Sequence, residues 1–228
     1  MRTVDLEALK SVAAQLDKLE RPYAFTGGIV VGFLLDHPEV VHLRPTDDLD
    51  AITSVTSYAQ QNLMEEELRG LLFIHDTSEG APSCRFLFEG IKVDVMPAKD
   101  ETGQFNNPWF ESALASASPR SMKDVTVNTV DAPHFIATKI AAFLDRSKGD
   151  LYSHDLEDII TVVDGRNHLV EEMANAPPFL RHFVADQIRV LMGSEAFRDA
   201  LPGHLPGDRA SQGRLPKLME SLRKIAAL

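Results

Sequence analysis

Three acidic residues in this sequence have the types and spacing for phosphoryl chemistry. Asp48-Leu49-Asp50 is an Asp-x-Asp at the start of a β-prone run. Strand alternation puts Asp48 and Asp50 on one face, with Leu49 and Ala51 on the other. Two carboxylates this close repel each other unless a cation lies between them. Mg²⁺ takes hard oxygen ligands and fills its remaining positions with water and substrate phosphates. The third acid is Asp94, alone in the apolar run Lys92-Val93-Asp94-Val95-Met96. If its strand lies beside that of Asp48 and Asp50, the three carboxylates make one site suited to two-metal phosphoryl transfer. Upstream, Phe25-Thr26 leads into Gly27-Gly28. Glycines at a strand–helix turn let backbone N–H groups approach a phosphate, and a helix N-terminus adds partial positive charge. Each feature also has an ordinary explanation: a tight turn at Gly27-Gly28, a solvated acidic turn at Asp48, and an edge hairpin whose Lys92 and Asp94 face water.

The elements that would position these residues can be read from hydrophobic periodicity. Val4, Leu6, Leu9, Val12, Ala13, Leu16 and Leu19 predict an amphipathic helix over about residues 4–20, ended before Pro22. A short strand 23–26 precedes the glycines, and a buried helix 29–35 follows them. A loop, 36–45, leads to a strand at 49–53. A surface helix spans 56–70 and a strand 71–74. The runs 84–88 and 91–96, split by Glu89-Gly90, predict a hairpin. Val125 to Val130 is β-branched and strand-like. From residue 131 onward the periodicity is helical: 134–146, 155–163, then 166–200 interrupted at Pro177-Pro178. A Gly/Pro-rich loop, 202–213, precedes a basic terminal helix, 215–228. The reading is α+β, with a mixed sheet flanked by helices in residues 1–130 and a helical bundle in 131–228.

The chain has 228 residues, 44% hydrophobic and 25% charged, the composition of a globular protein and not of a disordered tail, a collagen or a disulfide mini-protein. A lone cysteine, Cys84, excludes an intrachain disulfide and a Cys-rich zinc site. The N-terminus lacks the apolar core of a secretory signal, and the apolar stretch 27–35 is too short to span a bilayer, so a cytoplasmic protein without membrane association is expected. The net charge of −11 is uneven: residues 1–165 carry 14 basic and 27 acidic side chains, residues 166–228 carry nine and seven. The acidic part repels a phosphate backbone unless metal or a local basic patch intervenes.

The order Gly27-Gly28, Asp48/Asp50, Asp94 resembles the DNA polymerase β-like nucleotidyltransferase superfamily. Arg44-Pro45-Thr46-Asp47-Asp48-Leu49-Asp50 is similar to the Arg-x-Thr-x-Asp-Ile/Leu-Asp of small bacterial members. Lys139-Ile140-Ala141-Ala142-Phe143-Leu144-Asp145-Arg146, followed by His154-Asp155-Leu156-Glu157-Asp158-Ile159, resembles motifs of the abortive-infection, AbiEii-type nucleotidyltransferases, which supply toxins of some toxin–antitoxin pairs. The resemblance covers about residues 20–165. It implies transfer of a nucleoside monophosphate from an NTP to a hydroxyl, with release of pyrophosphate. Mg²⁺ or Mn²⁺ would be held by Asp48, Asp50 and Asp94, and Asp94 would help deprotonate the acceptor. Gly27, Gly28, Arg44, Thr46 and Lys139 would bind nucleotide, and Asp155 would help complete the site. The acceptor would be a tRNA 3′ end or a protein, and a cognate antitoxin would be a partner. The chain departs from the pattern at Ile29, where many members have Ser or Thr, and at His154, where Lys or Arg is usual.

Periodicity alone places Lys139, Ala142, Phe143 and Arg146 on one helical face, where a lysine needs a partner: a triphosphate, or water at a domain edge. Asp155, near a helix start, is also placed to cap it. An acidic cleft also suits a cationic small-molecule acceptor such as an aminoglycoside, and a catalytically decayed nucleotide-binding module is the non-enzymatic alternative. Cys84 lies in an apolar strand as packing, Asn107-Pro108-Trp109-Phe110 marks a helix start over the core or a base-stacking lid, and the terminal helix is amphipathic.

Overall fold

The computed structural model describes residues 4–38, 44–55, 57–99 and 107–228, so the expected loop 36–45 lies partly outside the described residues. The chain divides into two compact units: the described residues of 1–33 and 44–131 form the first, and those of 34–43 and 132–228 the second. Residues 34–38 therefore belong with the helical unit. Arg166 donates to the Leu34 carbonyl at 2.6 Å, and the Asn167 amide donates to Asp36 Oδ2 at 2.8 Å.

The first unit is built on a mixed sheet. Its strands are β1 (Tyr23–Thr26), β2 (Asp48–Thr53), β3 (Ile74–His75), β4 (Arg85–Phe88), β5 (Ile91–Pro97), β6 (Ser118–Met122) and β7 (Val125–Thr129). Their order among the described residues is β3-β4-β5-β2-β1-β7-β6. The β2–β5 and β1–β7 pairs are parallel, and the others antiparallel. Helices α1 (Leu6–Leu16), α2 (Val31–Leu34), α3 (Tyr58–Gly70) and α4 (Phe110–Ala115) punctuate these strands. Leu9, Val12 and Leu16 of α1 are fully buried, as their spacing requires, and Asp5 caps the helix by accepting from the Ala8 amide.

Two expectations are corrected here, and one unforeseen strand is added. The strand at 71–74 is shorter and later, because the end of α3 runs through Leu71 into Leu72, which takes φ 67° before β3 begins. The hairpin partner of β7 is β6, a Ser-Pro-Arg-Ser-Met run with no apolar alternation. It forms an edge strand, the position where a proline is tolerated. Asp94 does not lie on an edge hairpin: β5 sits between β4 and β2, and Asp94 is 7% exposed.

The second unit is helical: α5 (Ala132–Asp145), α6 (His154–Gly165), α7 (Leu169–Asn175), α8 (Pro178–Gly193), α9 (Glu195–Ala200), α10 (Arg209–Gln212) and α11 (Leu215–Ala226). Its core gathers Phe135, Ile136 and Ile140 from α5, Leu156, Ile159 and Val162 from α6, Leu180 and Val184 from α8, and Leu218, Leu222 and Ile225 from α11. Among the described residues, no helix is long and apolar enough to cross a membrane.

Candidate active site

The sheet brings Asp48, Asp50 and Asp94 together. β2 and β5 run parallel with Asp50 opposite Asp94 and Asp48 opposite Lys92, so these four side chains leave the same face. The burial pattern of β2 alternates as the sequence requires: Asp48 and Asp50 are half-buried, Leu49 and Ala51 fully buried.

The cation between the acids is a side chain that the sequence reading missed. Arg85, on β4, donates from Nε to Asp94 Oδ1 at 2.7 Å and from Nη2 to Asp94 Oδ2 at 2.8 Å. Nη2 also reaches across β5 to Asp48 Oδ2 at 2.7 Å. The fork of a guanidinium suits this two-point grip. Hydrogen bonding to Asp94 raises the pKa of Arg85 against the opposing effect of burial, with the charges of Asp94, Asp48 and Asp50 adding to the rise. The signal for Arg85 was present in the hairpin. Glu89 and Gly90 both take positive φ, the two-residue turn that matches strand twist. With Phe88 opposite Ile91, counting back by pairs puts Arg85 opposite Asp94.

Gly27 takes φ 71°, and a Cβ there would overlap the Asp50 carboxylate, lying 2.7 Å from its Cγ. The glycine thus leaves room for Asp50 to lie against the turn between β1 and the helical segment that begins at Gly28. Gly28 is covered differently: its Cβ would sit 2.7 Å from Arg44 Nη2. A guanidinium accordingly rests over this turn, beside the backbone that was expected to meet phosphate. Thr46 is buried and donates from Oγ1 to the Asp48 carbonyl at 3.1 Å, which makes it a support for Asp48 in this arrangement.

Lys139 and Asp155 meet in the second unit. Lys139 Nζ lies 3.2 Å from Asp155 Oδ1 and 2.6 Å from Asp158 Oδ2, with all three side chains at most 7% exposed. Arg146, one face with Lys139 as expected, donates to both oxygens of Asp155 at 2.9 and 2.6 Å, and Ser147 adds a hydroxyl at 3.1 Å. Burial alone would raise the Asp155 pKa, but hydrogen bonds and charge from Arg146 and Lys139 outweigh it and hold the carboxyl at about 2. Asp155 is not the cap of α6; Ser153 is, accepting from the Leu156 amide. Cys84 is buried and its thiol pKa is pushed up by burial, as expected of packing. Trp109 is buried at the start of α4, which makes that segment a cover for the core.

Carboxylate oxygens are the donors a hard divalent cation takes, and a cation already bridges Asp48 and Asp94, namely the Arg85 guanidinium. In this arrangement no three of the described His, Cys, Asp and Glu side chains converge as a ligand set. Asp48, Asp50 and Asp94 have the oxygen chemistry that Mg²⁺ or Mn²⁺ takes, but two of the three are held by Arg85.

No family model and no curated protein sequence matches the chain. Among solved structures, it is similar to an antigenic nucleotidyltransferase-like protein from Paracoccidioides brasiliensis, with a TM-score of 0.51 and 19% identity, over 96% of this chain and 92% of that one. The chain thus has a nucleotidyltransferase-like α+β fold built on a mixed sheet.

Proposed function

We propose that the protein is a nucleotidyltransferase that transfers a nucleoside monophosphate from an NTP to a hydroxyl acceptor and releases pyrophosphate. The observation that carries this is the register of β2 and β5, which sets Asp48, Asp50 and Asp94 on one face beside Gly27. In this reading Asp48, Asp50 and Asp94 hold Mg²⁺ or Mn²⁺. The ions supply Lewis-acid polarisation of the phosphate and charge neutralisation. Asp94 accepts the acceptor's hydroxyl proton. Backbone N–H groups at Gly27-Gly28 and the Arg44 guanidinium beside Gly28 receive phosphate oxygens. Lys139 and Asp155 contribute by holding α5 to α6, since their charges are already matched to each other.

The AbiEii-type resemblance favours a tRNA 3′ end or a protein as acceptor, and a cognate antitoxin as partner. The test offers each α-labelled NTP with Mg²⁺ to total RNA, a protein lysate or an aminoglycoside panel, using wild type and Asp48→Ala. Label moved by wild type and not by the variant supports transfer, and the labelled fraction names the acceptor. Turnover retained in Asp48→Ala overturns the assignment. A second reading, a nucleotide-binding module without turnover, is favoured by one observation: the Arg85 guanidinium already bridges Asp48 and Asp94. Metal-dependent NTP binding with no transfer to any acceptor supports that one.

A further inference from the structure

We propose that Arg85 is a built-in counter-cation that competes with the divalent ion for Asp48 and Asp94, so that metal enters the site only as the guanidinium leaves. The inference rests on the metal-site part of the function proposed above and names the residue that controls loading.

The geometry forces the competition. Arg85 takes both oxygens of Asp94 and one oxygen of Asp48. Asp48 and Asp94 are two of the three residues that would hold the ion in the function proposed above. A carboxylate oxygen can accept more than one contact, but a guanidinium and a divalent ion cannot share the space between two carboxylates without strong cation–cation repulsion. Arg85 is not free to drift: its backbone is fixed opposite Asp94 by the β4–β5 ladder, so the exchange is a rotation of the side chain and leaves the strand in place. The guanidinium is also well placed for an anionic alternative. Its side chain is 15% exposed, which gives it a path to the surface of the site. A triphosphate offers the paired anionic oxygens that the planar guanidinium favours, so an arriving nucleotide can take Arg85 while its ion takes the carboxylates.

Arg85 thereby has two effects on affinity. It offsets part of the negative charge of the acidic face, and it lowers the affinity for a bare ion. Removing it leaves two strand neighbours with unpaired negative charge, a better site for an oxygen-seeking cation.

The test is a Mn²⁺ titration without nucleotide, following the free-ion electron paramagnetic resonance signal. Wild type, Arg85→Ala, Arg85→Lys and the double variant Arg85→Ala/Asp48→Asn are compared. Arg85→Ala is expected to bind Mn²⁺ roughly tenfold tighter than wild type or more, the scale on which groups around a metal site change its affinity. Arg85→Lys, with its single-point charge, is expected to fall between, and Asp48→Asn to remove the gain. Equal affinity in wild type and Arg85→Ala overturns the proposal, as does a gain that survives Asp48→Asn. Where Arg85→Ala folds poorly, Arg85→Gln is used and the melting temperature is read with and without Mn²⁺. A larger metal-induced rise in the variant supports the proposal, and equal rises overturn it. Failure of the transfer reading is recorded separately. Tighter Mn²⁺ binding in Arg85→Ala together with no label transfer by wild type leaves the counter-cation standing and removes the enzyme.

Discussion

Asp50 and Asp94 are register partners on adjacent parallel strands, and their side chains leave the same face of the sheet. Their partners differ. Asp94 is gripped at both oxygens by Arg85, whereas Asp50 packs its carboxylate against Gly27. Asp50→Asn therefore keeps the shape of the site and the Arg85 bridge while removing a charge. It is expected to lower NMP transfer by about 100-fold or more, the scale of losing one preorganised electrostatic group. Its melting temperature should stay close to that of wild type. A label-transfer assay beside a thermal melt measures both.

The two glycines of the turn should respond differently to one methyl group. At Gly27 a Cβ meets the Asp50 carboxylate and the backbone has φ 71°, so Gly27→Ala displaces Asp50 or strains the turn. A loss of about 1–3 kcal/mol in stability is expected, with transfer activity falling alongside it. At Gly28 the obstacle is Arg44 Nη2, the far end of a flexible side chain. Gly28→Ala should change stability by about 0.5 kcal/mol or less, as a substitution whose neighbour can move. Urea denaturation of both variants separates the two outcomes.

The fold was largely legible because its strongest signals are local. The helical spacing of Leu9, Val12 and Leu16, the β-branched run at Val125 and the Glu89-Gly90 turn each predict an element that the structure contains. The pairing of Asp48 with Asp50 followed from alternation alone. That β2 and β5 are neighbours did not, because parallel register is set by tertiary packing between distant segments. The strand β6 was missed because it has a proline and no apolar alternation; its pairing with β7 supplies the order that its own residues do not. Arg85 was missed for another reason. It stands alone in an apolar run at the far end of the hairpin, and its place opposite Asp94 is set by strand register and not by a local pattern.

Lys139 provides a clear separation of structural from substrate-binding roles. Its ammonium is buried between Asp155 and Asp158, and truncation leaves Asp158 without that ion pair. Lys139→Met is expected to destabilise the protein by roughly 3–5 kcal/mol, as when one partner of a buried pair is removed. Chemical denaturation gives this number. A variant with wild-type stability but a raised KM for NTP would instead make Lys139 a nucleotide ligand.

Asp155 sets an acid limit on the helical unit. Its carboxyl titrates at about 2 in the folded protein, below the usual 3.8, because Arg146 and Lys139 outweigh its burial. A folded-state pKa below the unfolded one means that the unfolded chain takes up its proton first as pH falls. The stabilisation from this carboxylate is therefore complete above about pH 5, shrinks through the interval between the two pKa values and is gone below about pH 2. The depression corresponds to about 2 kcal/mol by linkage. Asp155→Asn should lose that increment at neutral pH, and its stability should fall less steeply than that of wild type as the solution is acidified from about pH 5 to about pH 3. Parallel denaturation curves for the two proteins across that range would assign the acid sensitivity to other carboxylates. Convergence of the curves toward low pH would place it at the contact of Asp155 with Arg146 and Lys139, the ion pairs that join α5 to α6.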